Sequence, residues 1–248
     1  MPSRLPWAGI RNGSVDMSKA ANRAYSSTAP GLGSDHDVDQ TDPVDRRWLA
    51  GVAQLRRGRD IADADWDRIY PAKCIELSSL HWSPAAVARR AAELLSRGTE
   101  TRVLDVGAGV GKFCTIAALT TPGLFVGVER CGELVDIARA TAARAQASRT
   151  RFIHANADDI DWANFNGFYF FNPFAQILWP DLRMIGPGIS QPDEYRRLLS
   201  YTRGSLMASR PGTRVVTYFG FGGEMPSCFR LTLKQPYGND FVECWERE

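Results

Sequence analysis

The sequence predicts a doubly wound α/β fold, with a mostly parallel seven-stranded sheet that ends in a C-terminal antiparallel hairpin. Three observations lead to this prediction. Short apolar runs typical of buried parallel strands alternate with helical patterns between residues 102 and 219. A turn rich in glycine follows the first of these runs. Two alternating apolar and polar segments, separated by Pro236, Gly238 and Asn239, predict the closing hairpin.

The composition is that of one globular domain with an appendage. The chain has 248 residues, of which 44% are hydrophobic, and its formal net charge of +2 gives no electrostatic sign of a nucleic-acid binder. No apolar run approaches the roughly 18 residues of a membrane span, and we expect no membrane partner. Five scattered cysteines without a C-x-x-C pair predict free thiols, no metal site and a cytoplasmic protein.

Three segments are predicted along the chain. Residues 1–42 are rich in Ser, Gly, Ala and Pro without a sustained hydrophobic period, which is typical of a disordered tail. Asp45 to Arg57 and Asp63 to Tyr70 then carry apolar residues at helical spacing. We therefore predict a helical cap over residues 43–82 and a Rossmann-like domain over residues 83–248.

The first strand and the turn after it carry the strongest functional signal. Asp105 lies inside a short apolar run, and Gly107, Gly109 and Gly111 follow at once. Glycine allows positive φ angles and lets a ligand approach the main-chain N–H groups at the start of the next helix. We expect a small polar ligand on this turn. The alternative, a tight corner without a ligand, would leave Asp105 as an uncompensated buried group.

A helix from Lys112 to Thr120 and a second strand from Leu124 to Val128 follow, and Glu129 lies at the carboxyl end of that strand. A carboxylate about 20 residues beyond the turn can accept hydrogen bonds from both ribose hydroxyls of a nucleotide. The dinucleotide fingerprint G-x-G-x-x-G would require a small residue at position 112, where this chain has lysine. The spacing therefore opposes a nicotinamide cofactor.

With Asp105 two residues before the first glycine, the segment reads D-x-G-x-G-x-G and resembles the first motif of the class I S-adenosylmethionine-dependent methyltransferases. The resemblance covers roughly Ser83 to Phe174 well and the remainder in outline. It implies S-adenosyl-L-methionine as the cofactor. The residues assigned to cofactor binding on this basis are Asp105, Gly107, Ala108, Gly109, Gly111, Glu129, Arg130, Asn156, Ala157, Asp158 and Trp82.

The segment before the first strand is His81-Trp82-Ser83-Pro84. It resembles the aromatic-Thr-Pro motif of some amino-directed methyltransferases, in which this corner approaches the methionine half of the cofactor. The other interpretation is a packed tryptophan before a helix from Ala85 to Arg97, with Ser83 as the N-cap and Pro84 at the first helical position.

A helix over residues 132–147 leads to a third strand, Arg151 to Ala155, which ends in Asn156-Ala157-Asp158. In the family that the chain resembles, an acid at this place accepts a hydrogen bond from the adenine amino group, and a neighbouring backbone N–H meets the ring. The aligned first position here is Asn156, with Asp158 two residues later. Either side-chain oxygen can accept the amino proton.

The fourth strand, Phe168 to Phe171, is followed by Asn172-Pro173-Phe174. This tripeptide resembles the (N/D)-P-P-(Y/F) motif of amino-directed methyltransferases with one proline missing. Positive charge grows on a nitrogen nucleophile during methyl transfer, and fixed carbonyl oxygens stabilise it. We predict that role for the Asn172 side chain and the Pro173 carbonyl, with Phe174 as a stacking wall. The alternative is that the proline simply ends the strand.

The remaining pattern completes the sheet. A helix is predicted from Pro192 to Ser209, a fifth strand from Val215 to Phe219, and the hairpin strands from Cys228 to Lys234 and from Phe241 to Trp245. A terminal antiparallel pair is typical of the methyltransferase sheet.

The predicted function is methyl transfer from S-adenosylmethionine to a nucleophile, preferably nitrogen, of a protein or small-molecule acceptor. A second partial resemblance, in GAGVG and GVE, is to the non-SET histone-lysine methyltransferases. We expect no nucleic-acid acceptor, because the chain has no separate recognition domain and no concentrated basic stripe. The alternatives are a nicotinamide-dependent oxidoreductase and a non-catalytic module that binds the cofactor.

Overall fold

The structure is a computed structural model and describes residues 43–178 and 191–248. The predicted disordered tail, residues 1–42, lies outside the described residues. Within them, seven strands form one sheet: β1 Arg102–Val106, β2 Leu124–Glu129, β3 Thr150–His154, β4 Gly167–Phe170, β5 Arg214–Tyr218, β6 Phe229–Tyr237 and β7 Asp240–Arg247.

The strand order is β3-β2-β1-β4-β5-β7-β6. Strands β1 to β5 are parallel to one another, and β7 runs antiparallel to both β5 and β6. This arrangement confirms the predicted fold class, including the closing hairpin. The order reverses beside β1, so the carboxyl ends of β1, β2 and β4 border one crevice, where α/β sheets bind their ligands.

The helices cover both faces of the sheet. They are α1 Pro43–Arg56, α2 Asp63–Trp66, α3 Ala72–His81, α4 Ala85–Leu95, α5 Lys112–Thr120, α6 Gly132–Arg144, α7 Ala175–Leu178 and α8 Pro192–Ala208, with short 3₁₀ turns at 67–69, 157–159 and 162–164. Residues of β1 alternate between two hydrophobic clusters, since Val103 belongs to one and Leu104 and Val106 to the other. Among the described helices, none has the length and hydrophobicity that a membrane span needs.

Residues 43–82, called the cap below, pack on the face that α4 and α5 cover. Trp48, Val52 and Leu55 of α1 are buried in the same hydrophobic cluster as Val103 of the sheet. The cap and the sheet also belong to one structural unit, Asp42–Glu248. The cap is therefore held by a shared core, next to the helix that follows the glycine turn.

The predicted N-cap of α4 is wrong. The helix begins at Ala85 with Pro84 before it, and the Ser83 hydroxyl does not cap it. Instead, Ser83 shares a 2.6 Å hydrogen bond with the buried hydroxyl of Tyr169 in β4. The Ala85 N–H donates to the Asp63 carboxylate at 2.7 Å. The Asp63 carboxylate therefore accepts the N–H at the start of α4, and the Ser83 hydroxyl instead pairs with the buried hydroxyl of Tyr169.

The hairpin is longer than its pattern suggests. The strands pair from Phe229 with Arg247 to Tyr237 with Asp240, so that Gly238 and Asn239 form the turn. Pro236 therefore lies inside β6, where proline is tolerated because β6 is an outer strand of the sheet.

Candidate functional site

The glycine turn is bonded to the end of β2. The N–H groups of Gly107 and Ala108 donate to the Val128 carbonyl at 2.9 and 3.0 Å. The Gly109 N–H donates to the Glu129 carboxylate at 3.1 Å. Gly107 and Gly109 have φ angles of +74° and +53°, which side chains rarely adopt. The turn is thus fixed in a conformation that its glycines make possible.

Two further segments, which contain Trp82 and Pro173, lie against this turn. A Cβ atom on Gly107 would lie 2.9 Å from Cβ of Pro173, and one on Gly109 would lie 2.4 Å from Cζ3 of Trp82. Both distances are shorter than side chains tolerate, so the bare turn is what allows Pro173 and Trp82 to come this close. The structure therefore brings together the turn, the end of the cap and the loop after β4, as the crevice position predicts.

The two predicted carboxylates lie beside the turn. Asp105 is 4% exposed, and its carboxylate accepts a 3.4 Å hydrogen bond from the Cys114 thiol. Burial raises the pKa of Asp105 to about 7, and the nearby charge of Glu129 adds to the rise. Burial also raises the pKa of Glu129, whose oxygens accept hydrogen bonds from the N–H groups of Gly109 and Cys131. A carboxyl group that titrates near neutrality ionises readily when a cation comes beside it.

The two residues predicted to contact adenine, Asn156 and Asp158, make different contacts at the end of β3. The backbone and side-chain nitrogens of Asn156 donate to Asp159, at 3.1 and 3.2 Å. Asp158 pairs with Arg197 of α8 through Oδ2. Its other oxygen, Oδ1, is buried and has no hydrogen-bond partner among residues 43–178 and 191–248. Asp158 therefore keeps an acceptor atom that a ligand amino group can use.

Arg130 and Ala157 make other contacts at this side of the crevice. Arg130 follows β2 and pairs with Glu194 of α8 at 3.3 Å. The carbonyl of Ala157 accepts a 2.9 Å hydrogen bond from the indole of Trp162. These interactions connect the ends of β2 and β3 to the neighbouring helix and turn. The cofactor roles assigned to both residues stay predictions.

The end of β4 has an unusual backbone. Asn172 has a φ of +40° and Phe219, after β5, a φ of +59°, in a region that non-glycine residues seldom occupy. The Asn172 N–H donates to the Gly220 carbonyl at 2.9 Å, which links the ends of the two strands. Phe174 is buried at 4% exposure in the hydrophobic cluster that includes α8. Strained residues of this kind cluster at functional sites.

Two residues near the turn were not assigned a role from the sequence. Lys112 is 2% exposed and pairs with Asp63 at 2.6 Å and with Asp67 at 2.8 Å. A lysine on an otherwise apolar helix needs such partners, and this signal was available in the sequence. His81, at the end of α3, lies 3.3 Å from the Gln176 side chain, and burial lowers the pKa of His81.

Within residues 43–178 and 191–248, no group of three or more His, Cys, Asp or Glu side chains is arranged to hold a metal ion. The crevice is instead surrounded by carboxylates, backbone groups and aromatic rings. This set of groups suits an organic ligand that carries hydroxyl and amino groups.

Comparisons with known proteins give a family match over part of the chain and several structural neighbours. Residues 98–176 match the family model described as a methyltransferase domain. A search of curated protein sequences found no match. TrmN from Thermus thermophilus shares the fold, with a TM-score of 0.52 and 18% identity over 70% of this chain and 52% of that chain. An RNA methyltransferase from Salinibacter ruber, solved with S-adenosyl-L-homocysteine, gives a TM-score of 0.48 and 21% identity over 66% of this chain and 92% of that chain.

Proposed function

We propose that the chain is a class I, S-adenosylmethionine-dependent methyltransferase that methylates a nitrogen nucleophile on a protein or a small molecule; the match of residues 98–176 to a methyltransferase domain and the strand order support this class. The observation that carries this proposal is the position of Asn172. It follows β4 at the crevice with a left-handed φ of +40°, and the next residue, Pro173, lies against Gly107 of the glycine turn. Holding a non-glycine residue there costs about 1 kcal/mol, which favours a functional role over a simple strand end.

The groups around the turn fit S-adenosylmethionine, which supplies an activated methyl group when bound. In this proposal, Asp105 holds the amino group of the methionine half, Glu129 accepts hydrogen bonds from the ribose hydroxyls, and Asp158 accepts one from the adenine amino group. The buried Asp105 carboxyl and the unpaired Oδ1 of Asp158 support these roles. Gly107, Ala108, Gly109, Gly111, Arg130, Asn156, Ala157 and Trp82 complete the predicted cofactor site.

The acceptor chemistry follows from charge. An amine or amide nitrogen becomes positive as it attacks a methyl carbon, and carbonyl oxygens already fixed in place stabilise that charge without reorganising. The Asn172 side-chain oxygen and the Pro173 carbonyl are the groups we assign to this role. The Asn172 N–H is bonded to Gly220, so the backbone of the tripeptide is held before the acceptor arrives.

The test is a methyl-transfer assay with labelled S-adenosylmethionine and a fractionated cell extract, followed by identification of the labelled species and atom. Asn172→Gly keeps a residue that accepts the left-handed backbone and removes the carboxamide. We expect this variant to lower the turnover number about 100-fold while cofactor affinity stays within about threefold of wild type. Asn164→Ala, at an exposed asparagine of a 3₁₀ turn, is the matched control.

Three outcomes would contradict parts of this proposal. A label on oxygen, carbon or sulfur would overturn the nitrogen assignment. A label found only in the RNA fraction would overturn the choice of a protein or small-molecule acceptor. Unchanged turnover in Asn172→Gly would remove Asn172 from the reaction.

A further inference from the structure

Lys112 occupies a position that is unfavourable for a cation. It is the first residue of α5, directly after the left-handed Gly111 of the turn. The N-terminus of a helix carries partial positive charge, and burial removes the water that would stabilise an ammonium group. The side chain is nevertheless 2% exposed. Its charge must therefore be balanced by nearby carboxylates.

Those carboxylates come from the cap. Asp63 starts α2, and Asp67 lies in the 3₁₀ turn that follows. The Lys112 ammonium donates to them at 2.6 and 2.8 Å. Asp67 is 5% exposed and also accepts a 2.5 Å hydrogen bond from the Ser78 hydroxyl of α3. One ammonium group thus connects the helix after the glycine turn to successive segments of the cap.

The same segment of the cap carries Trp82. The Trp82 N–H donates to the Ser78 carbonyl at 3.0 Å, and its indole nitrogen donates to the Cys74 carbonyl at 3.2 Å. Ser78, which bonds Asp67, therefore lies one helical turn before Trp82, the residue that follows α3 and packs against Gly109. Moving the ion pair would move the indole ring relative to the turn.

The second acidic partner connects a further element. Besides Lys112, the Asp63 carboxylate accepts the Ala85 N–H at 2.7 Å. Asp63 thereby connects the starts of α4 and α5. Removing the Lys112 charge would leave the buried Asp67 carboxylate without its cationic partner, which strongly disfavours the present packing of the cap.

We propose that Lys112 is a positioning residue for the cofactor site: through Asp63 and Asp67 it holds Trp82 against Gly109. This inference rests on the proposed function, because it requires that the turn binds S-adenosylmethionine. Lys112 itself does not need to touch the cofactor. The cap is then part of the cofactor site, because the position of Trp82 against the glycine turn depends on the ion pair of Lys112 with Asp63 and Asp67.

The test measures S-adenosylmethionine dissociation constants by calorimetry in the full chain. The variants are Lys112→Met, Trp82→Phe and the double variant, each studied well below its melting temperature with its fold checked by circular dichroism. We expect each single variant to raise the dissociation constant about 10-fold, which corresponds to about 1.4 kcal/mol. The double variant should be little worse than either single one, because both changes remove the same contact.

Matched variants exclude a merely structural effect. Lys73→Met removes an exposed lysine of the cap and should leave the dissociation constant unchanged. Lys112→Arg keeps the charge and should recover part of the affinity. If Lys112→Met does not fold, Asp63→Asn, whose side chain is 48% exposed, replaces it with the same expectation.

The outcomes separate this inference from the proposed function. If wild type does not bind S-adenosylmethionine, the proposed function fails. If wild type binds and Lys112→Met binds equally well while losing only thermal stability, the positioning role is wrong. Additive losses for Lys112→Met and Trp82→Phe would also overturn it, because independent effects mean that Lys112 does not act through Trp82.

Discussion

The backbone N–H of Gly109 donates a hydrogen bond to the Glu129 carboxylate across 3.1 Å. The acid at the end of one strand thereby fixes the turn at the end of its neighbour before any ligand is bound. A carboxylate oxygen has two lone pairs, so the oxygen that holds Gly109 can accept a second hydrogen bond. One side chain therefore serves both the shape of the turn and, in our proposal, the ribose hydroxyls.

The first prediction concerns this acid. Glu129→Gln replaces one acceptor oxygen with an N–H donor, which cannot bond both the backbone N–H groups and a ribose hydroxyl. We expect the dissociation constant of S-adenosylmethionine to rise about 10- to 100-fold, for the loss of one or two charge-assisted hydrogen bonds. Calorimetric titration measures this, with the exposed Glu100→Gln as control. Equal affinity in both variants would exclude Glu129 from the site.

A second prediction uses the titration of Asp105. Its pKa in the folded protein is raised to about 7 from 3.8. The stability that this group contributes is therefore fully present below the unfolded value and is lost as the pH rises through about 7. Asp105→Asn lacks this loss, so its free energy of unfolding relative to wild type should increase from pH 5 to pH 8, by about 2 to 4 kcal/mol. Urea unfolding at several pH values measures it, and a constant difference would contradict it.

The same carboxyl group predicts a proton release on binding. If Asp105 holds the cationic amino group of S-adenosylmethionine, binding favours the ionised carboxylate. Near pH 6.5, wild type should then release a fraction of a proton, up to about one. Calorimetry in two buffers with different ionisation enthalpies detects this release. It should be absent in Asp105→Asn, and an identical release in both proteins would assign the proton to another group.

Gly109 allows backbone strain and contact to be measured separately. Gly109→Ala introduces a methyl group at a φ of +53° and 2.4 Å from Trp82, whereas Gly58→Ala has a similar φ of +73° and open space around it. We expect Gly58→Ala to cost about 1 kcal/mol of stability and to bind the cofactor normally. Gly109→Ala should cost more and bind at least about 10-fold more weakly. Chemical denaturation and calorimetry test this, and similar results for both variants would mean that Trp82 does not pack on the turn.

The adenine contact is decided by a pair of variants. Asp158 has a buried oxygen without a partner among the described residues, whereas the side-chain amide of Asn156 is bonded to Asp159. We therefore expect Asp158→Ala to weaken S-adenosylmethionine binding about 10-fold and Asn156→Ala to weaken it less. The measurement is again a titration. The reverse order would identify Asn156 as the acceptor of the adenine amino group.

The sequence predicted the centre of the sheet well for a local reason. Around Asp105, the strand, the turn, α5 and β2 each have a short pattern that needs no distant partner, and their predicted bounds differ little from those of the structure. The hairpin strands were predicted too short, because Pro236 was assigned to the turn together with Gly238 and Asn239, whereas in the structure it pairs with Phe241 inside β6.

Contacts between distant residues were not predictable in the same way. Ser83 precedes Pro84 and a helix, as an N-cap residue often does, but its hydroxyl is hydrogen-bonded to the buried hydroxyl of Tyr169 instead. Lys112 was noticed only because it breaks the dinucleotide fingerprint, since nothing local indicates that Asp63 and Asp67 surround it. The individual site roles stay predictions until a ligand is bound and measured.

The outer strand β6 has a consequence for solubility. Its far edge has no strand partner in the described sheet, and such an edge can add a strand from another molecule and begin aggregation. Charged Arg230 and Lys234 and the proline at 236 lie along it, exposed to solvent. Charged side chains and proline oppose the addition of a strand from another molecule. A more hydrophobic β6 would make this edge a site where aggregation begins.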